Sequence, residues 1–267
     1  MTGKTLWSLA VAALAVSACG DIKRGIPLKT PPPDDSYEQY TLVETYNNCE
    51  TGDEGCAYAR AVFPQFSTQD AAFLNPLILA AVAHPELRPE AVESASADTI
   101  SARFKRFLTG YATFKEDFPD DAQVWFKDIS VAPNRPFSGW VTLALTLVEH
   151  EGGAHPNEKT VFLNYELSNQ RLISLQEVMV PGFENALNEK LEAAFRADKK
   201  LAPTDSLKKA GLFEETWKLP SQFVLTHQGI RFYYNRYEIG PRAIGPIDIL
   251  LDWQALKGLS TLQIIGA

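Results

Sequence analysis

The stretch Gly139-Trp140-Val141-Thr142-Leu143-Ala144-Leu145-Thr146-Leu147-Val148, followed by Thr160-Val161-Phe162-Leu163-Asn164-Tyr165-Glu166-Leu167, decides the fold. Val141, Leu143, Leu145 and Leu147 recur at every second position, with Thr142, Ala144 and Thr146 between them. Successive strand side chains point to opposite faces, so this pattern sets an apolar face against a core and a mixed face opposite it. Residues 123–129 alternate in the same way, and the short turns between the three runs favour an antiparallel meander.

Outward from this meander the period changes. Phe73, Leu74, Leu77, Ile78 and Ala81 step by three and four residues and stop before Pro85, which predicts a helix. After Pro89, Ile100, Phe104, Phe107, Leu108, Tyr111 and Phe114 mark a second, with an aromatic stripe read as core. Phe183, Leu187, Leu191 and Phe195 mark a third. Strands are expected at 40–43, 57–64, 247–251 and 262–265, with a hairpin turning at Gln228-Gly229. The fold class is therefore α+β, with antiparallel sheet(s) and packed helices.

The start of the chain carries an address. Lys4, the apolar run at 6–15 and Val16-Ser17-Ala18 lead to Cys19. The run is too short to span a bilayer and reads as a removable export signal, residues 1–18, ending in a lipobox. Cys19 is then the lipidated amino terminus, and diacylation with an acylated amine gives stable membrane anchoring. Residues 19–39, with Pro31-Pro32-Pro33 at their centre, form a tether reaching up to ~65 Å from the lipid. The expected location is the bacterial envelope, on the periplasmic face of the outer membrane, because Gly20 replaces the aspartate that marks inner-membrane retention.

The net charge of -8 and the absence of a basic stripe disfavour nucleic acid as a partner. Of three cysteines, Cys49 and Cys56 remain after lipidation, and in an oxidising compartment they are expected to pair across the polar, two-glycine segment 50–55. A metal or redox role for them lacks C-x-x-C spacing and nearby ligands.

Two segments are dense in possible chemistry. His150-Glu151-Gly152-Gly153-Ala154-His155 looks like a stretched zinc motif, but its histidines are five apart and two glycines break the segment, so no metal and no cofactor is expected. There is no G-x-S-x-G and no spare cysteine for nucleophilic catalysis. The second segment, residues 233–246, sets Tyr237 and Arg242 among Gly240, Pro241, Gly245 and Pro246. Tyrosine and arginine dominate binding hot spots, whereas the glycines and prolines fit a rigid turn equally well.

At these segments the chain resembles the RsiV-type extracellular domain family. Residues 152–157 are similar to its Gly-Gly-Ala-His-Pro-Asn run, and Tyr237-Glu238-Ile239-Gly240-Pro241, with Ala243 and Gly245-Pro246, to its closing motif. Upstream, Val62-Phe63-Pro64 and Leu74-Asn75 resemble the start of the family's partner module, so the likeness covers residues 57–253. The resemblance implies an N-terminal module over 40–135 and an RsiV-like module over 136–267. It also implies recognition of peptidoglycan or of a lysozyme-like protein, since the family includes a lysozyme-sensing anti-sigma ectodomain and the accessory region of the PdaC peptidoglycan deacetylase. Neither relative's effector part lies within these 267 residues. Phe63 replaces the family's tyrosine, and Arg242 stands where it has another; a cation there opposes a cationic partner.

The expectation is a lipid-anchored, non-catalytic binding protein. Its candidate ligand contacts are Glu151, Gly152, Gly153, His155, Asn157, Tyr237, Glu238, Pro241 and Arg242. The alternatives are a wall hydrolase or deacetylase working near His155, and a structural lipoprotein with a protein partner.

Overall fold

The computed structural model describes residues 37–86, 95–136 and 139–262. The signal segment, Cys19, the tether up to position 36 and positions 263–265 of the expected last strand lie outside the described residues.

Two sheets carry the architecture. The first is six-stranded, in the order β1 (Tyr37–Thr45), β2 (Tyr58–Phe66), β3 (Phe126–Asn134), β4 (Trp140–His150), β5 (Asn157–Glu166) and β6 (Arg171–Leu172). The second is a three-stranded antiparallel sheet of β7 (Gln222–Leu225), β8 (Gly229–Tyr234) and β9 (Ile247–Asp252). The expected meander forms: β3, β4 and β5 pair antiparallel, with Leu145 between Val131 and Val161. The exception to antiparallel pairing is β2 with β3, which run parallel. Their connection carries two helices, α1 (Leu74–Ala83) and α2 (Ala97–Asp117), and a crossover of that length returns the chain in the same direction. The first sheet hydrogen-bonds continuously across position 135, so strands from both expected modules share it.

One face of this sheet is the core. Phe63, Ile129, Val131, Val141, Leu143, Leu145 and Tyr165 pack with Leu74 and Ile78 of α1 and Ile100 and Phe104 of α2. Ala59 and Ala61, fully buried on β2, have side chains small enough for the helices to approach closely. The start of α1 is pinned by Asn75, whose side-chain oxygen accepts from Phe66 N at 2.8 Å while its NH2 donates to Phe66 O at 2.9 Å. Ser96 caps α2, its Oγ accepting from Thr99 N at 3.2 Å. The strand expected at 123–129 starts at Phe126 instead. Trp125 leaves the ladder to pack on the aromatic stripe of α2, with ring centroids 6.0 Å from Phe107, 5.8 Å from Tyr111 and 5.3 Å from Phe114.

The Cys49–Cys56 disulfide forms, with Cα atoms 5.7 Å apart, and closes the loop between β1 and β2. A second core lies between the smaller sheet and α4 (Glu184–Lys199), which follows a single-turn α3 (Leu175–Val178). The predicted stripe Phe183, Leu187, Leu191 and Phe195 is buried there against Phe223, Phe232 and Tyr234. Each such side chain contributes about 2 kcal/mol by leaving water. No described helix is long and apolar enough to cross a membrane.

Candidate functional site

The two sheets meet along β5, and the meeting is made by amides. β6 covers β5 only at Tyr165 and Glu166, leaving outward backbone groups of β5 without a strand partner. Side chains of the second sheet take their place. Gln222 Oε1 accepts from Phe162 N at 2.7 Å. Asn235 Oδ1 accepts from Thr160 N at 2.7 Å, and its Nδ2 donates to Thr160 O at 2.9 Å. Asn164, 2% exposed, accepts from Thr142 Oγ1 at 2.8 Å and donates to Phe223 O at 3.0 Å. Phe162 packs edge-on against Tyr233 at 5.4 Å.

Immediately after Asn235 the chain folds into a tight loop. Glu238 N donates to Asn235 O at 3.1 Å, and Asn235 N donates back to Glu238 Oε2 at 2.8 Å. Between them Tyr237 sits at φ +64 with 59% of its surface exposed. A non-glycine residue in this left-handed region is strained. Downstream, Gly240 packs closely on Ile244: a Cβ there would lie 2.2 Å from Ile244 Cδ1, the end of a flexible side chain.

Two arginines tie this loop to the turn between β4 and β5 and to the start of β5. Arg242 Nη1 donates to Pro156 O at 2.7 Å, and Arg236 Nε donates to Glu158 Oε2 at 3.2 Å. The segments 151–157 and 237–246, 86 residues apart at their contact, are therefore neighbours. Asn157, Tyr237, Glu238 and Arg242 line one groove of about 880 Å3, which runs beside β5 between α3 and the loop 219–222. Its walls mix planar amides and carboxylates with Val161, Leu163, Leu175 and Pro220.

The other predicted residues are not on this groove. Glu151 lies at a second hollow of about 660 Å3 beneath α2, bound to Lys127 Nζ at 3.4 Å. Gly152 and Gly153 sit at φ +94 and +95 in the turn, where Gly153 N donates to Gln123 Oε1 at 2.9 Å. These glycines shape the turn. His155 is exposed at its tip and lines neither hollow, and Pro241 precedes the short helical turn 242–244. His150 packs at a tilt on Phe126, ring centroids 6.0 Å apart, and among the described residues no three His, Cys, Asp or Glu side chains converge as a metal site.

Gln222, Asn235, Arg236 and Glu158 are not among the candidate contacts read from the sequence. Asn235 and Arg236 adjoin the tyrosine-rich run and were open to selection on that ground; nothing in the surroundings of Gln222 marks it. Burial pushes the Tyr233 hydroxyl above its ordinary value, so the ring remains a neutral part of the sheet interface.

No curated protein matches the chain. Among solved structures it is similar to a DUF3298-family protein of Bacteroides fragilis, at 21% identity and a TM-score of 0.67, covering 85% of this chain and 94% of that one. It is also similar to a DUF3298-family protein of Pseudomonas aeruginosa PAO1, at 21% identity and a TM-score of 0.60, covering 84% and 94%. At that identity the likeness is one of fold. The groove's second wall, the loop 219–222 and the Tyr237 loop fall inside residues 176–254, the segment that matches the family described as "Protein of unknown function (DUF3298)".

Proposed function

We propose that this chain is a lipid-anchored, non-catalytic envelope protein that binds peptidoglycan glycan in the groove beside β5. The observation that carries the reading is Tyr237, held exposed in a strained conformation at the rim of a groove whose walls alternate amides, carboxylates and apolar patches. A sugar presents C–H faces that pack on an aromatic ring and hydroxyls that need planar donors and acceptors at its edges. Of the Gln222 amide, the oxygen is engaged by Phe162 N, which leaves the NH2 for a ligand. The export and anchoring part of the reading rests on Lys4, the apolar run and Cys19.

Arg242 favours the wall over a muramidase. Its hydrogen-bond acceptor is a neutral carbonyl and it forms no ion pair with a described carboxylate, so it sets a positive charge at the groove that disfavours a cationic partner.

The test is co-sedimentation of full-length protein in detergent with purified peptidoglycan, alongside calorimetric titration with hen lysozyme. Saturable retention on peptidoglycan, reduced in Tyr237→Ala at an unchanged melting temperature, supports the reading. Lysozyme binding without retention moves the function to a muramidase partner, and silence in both assays removes the glycan reading. Release of soluble muropeptides, abolished in His155→Ala, would replace it with an enzymatic one.

A further inference from the structure

The groove beside β5 does not end at the sheet's rim. Pro85, Glu86 and Lys159 line both it and the hollow beneath α2, so the two are adjoining parts of one cleft across the helix-facing side of the first sheet. Their chemistry differs. The groove carries planar amides and an exposed tyrosine, whereas the hollow has a floor of Ile100, Phe104, Ile129 and Leu147.

The charges of the hollow decide what it takes. Each of its three carboxylates already has a cation: Glu86 accepts from Arg103 Nη2 at 3.2 Å, and Lys127 Nζ sits 3.0 Å from Glu149 and 3.4 Å from Glu151. Lys127 is held there over the Phe107 ring, 5.0 Å from its centroid. Arg106 and Lys159 line the same hollow and form no ion pair with any described residue. In a chain of net charge -8, the four cations (Arg103, Arg106, Lys127 and Lys159) and three carboxylates that line this hollow leave it one positive charge in excess, over an apolar floor. Beside low-dielectric walls, a cation left without a carboxylate attracts an anionic group more strongly than it would in water.

We infer that the hollow beneath α2 receives a short acidic peptide branch of the polymer whose sugar chain lies along β5. Carboxylates of the branch meet Arg106 and Lys159, and its small aliphatic side chains meet the floor formed by Ile129 and Leu147. This rests on the glycan reading of the groove and adds the specificity the groove lacks: a strand bearing acidic peptides is preferred over a bare one.

Two probes separate the inference from the reading beneath it. Full-length protein in detergent is titrated calorimetrically with an uncharged N-acetylglucosamine tetrasaccharide and with the disaccharide tetrapeptide of peptidoglycan, in the wild type and in Arg106→Glu. Arg106 is exposed on α2, and matching melting temperatures confirm that the variant is folded. The tetrapeptide probe is expected to bind the wild type about tenfold more tightly than the sugar, with that preference erased in Arg106→Glu while sugar affinity is unchanged. Equal affinity for the two probes, or a preference that survives the charge reversal, overturns the inference and leaves the glycan reading standing. Absence of binding by both probes overturns the glycan reading and this inference with it.

Discussion

The side-chain amide of Asn235 pairs with both backbone groups of Thr160, accepting from N at 2.7 Å and donating to O at 2.9 Å. It does for β5 what a neighbouring strand would do. Asn75 makes the same two-point pairing with Phe66, so the fold uses side-chain amides twice to finish the ends or edges of strands. Asn235→Ala leaves the buried Thr160 groups unpaired and is expected to destabilise by about 2 kcal/mol. Asn235→Asp, which turns a donor into a carboxylate facing a carbonyl, is expected to cost more. Urea unfolding of the two variants checks the order; an Asp variant as stable as the wild type contradicts the pairing.

Gly229 and Gly240 are both crowded, by neighbours of different kinds. A Cβ at Gly229 would stand 2.0 Å from Leu251 O and 2.6 Å from Asp252 Cα, which are backbone atoms of the adjacent strand. One at Gly240 would meet Ile244 Cδ1, the end of a flexible side chain, at 2.2 Å. Gly229→Ala must spread β8 from β9 and is expected to cost about 3 kcal/mol, whereas Gly240→Ala needs an Ile244 rotamer change of about 1 kcal/mol. Thermal melts that reverse this order would place the rigidity of the second sheet elsewhere.

Much of this architecture was legible before the structure. Alternation in β4 and β5 and the three-and-four spacing in α4 assigned each apolar residue to a face, because burial is a property of single side chains and leaves a periodic trace. Pairing leaves less. The period in β2 and β3 says which residues face the helices but not that the strands lie parallel and adjacent, which follows from how a two-helix crossover packs. In the candidate site, Tyr237 and Arg242 stood out by composition. The wall that completes their groove did not: Gln222 reaches Phe162 across 60 residues and Asn235 reaches Thr160 across 75, and an amide read in sequence is only a polar residue near a turn.

Arg231 and Asp248 form a two-pronged ion pair across β8 and β9, with side chains 20% and 12% exposed. Burial pushes the Asp248 carboxyl above its ordinary value, with Arg231 acting against that rise. A carboxyl raised in the folded state favours folding when protonated, and that contribution is lost as pH rises through its folded pKa. Arg231→Leu removes the opposing cation, so the carboxyl rises further and its charged form becomes a larger penalty. The variant is expected to lose about 3 kcal/mol at pH 7 and less near pH 4, where Asp248 takes up a proton. Chemical denaturation at the two pH values measures the difference, and a loss independent of pH would mean that Asp248 is not held out of water.

Tyr237 poses the sharpest conflict between stability and function. At φ +64 its Cβ crowds the backbone, while 59% exposure means that the ring adds little packing in return. Glycine adopts this conformation without the crowding but surrenders more chain entropy on folding, so Tyr237→Gly is expected to stabilise by only about 0.5–1 kcal/mol, a rise of a few degrees in Tm. If the strain is retained to hold an aromatic ring over the β5 groove, the same substitution lowers retention on peptidoglycan. Tyr237→Phe, which keeps the ring face, should keep most of that retention. The two readouts therefore move in opposite directions for glycine and stay together for phenylalanine. A glycine variant that is more stable and binds as before would show that the loop's strained backbone serves only its tie to Asn235, through the Glu238 carboxylate.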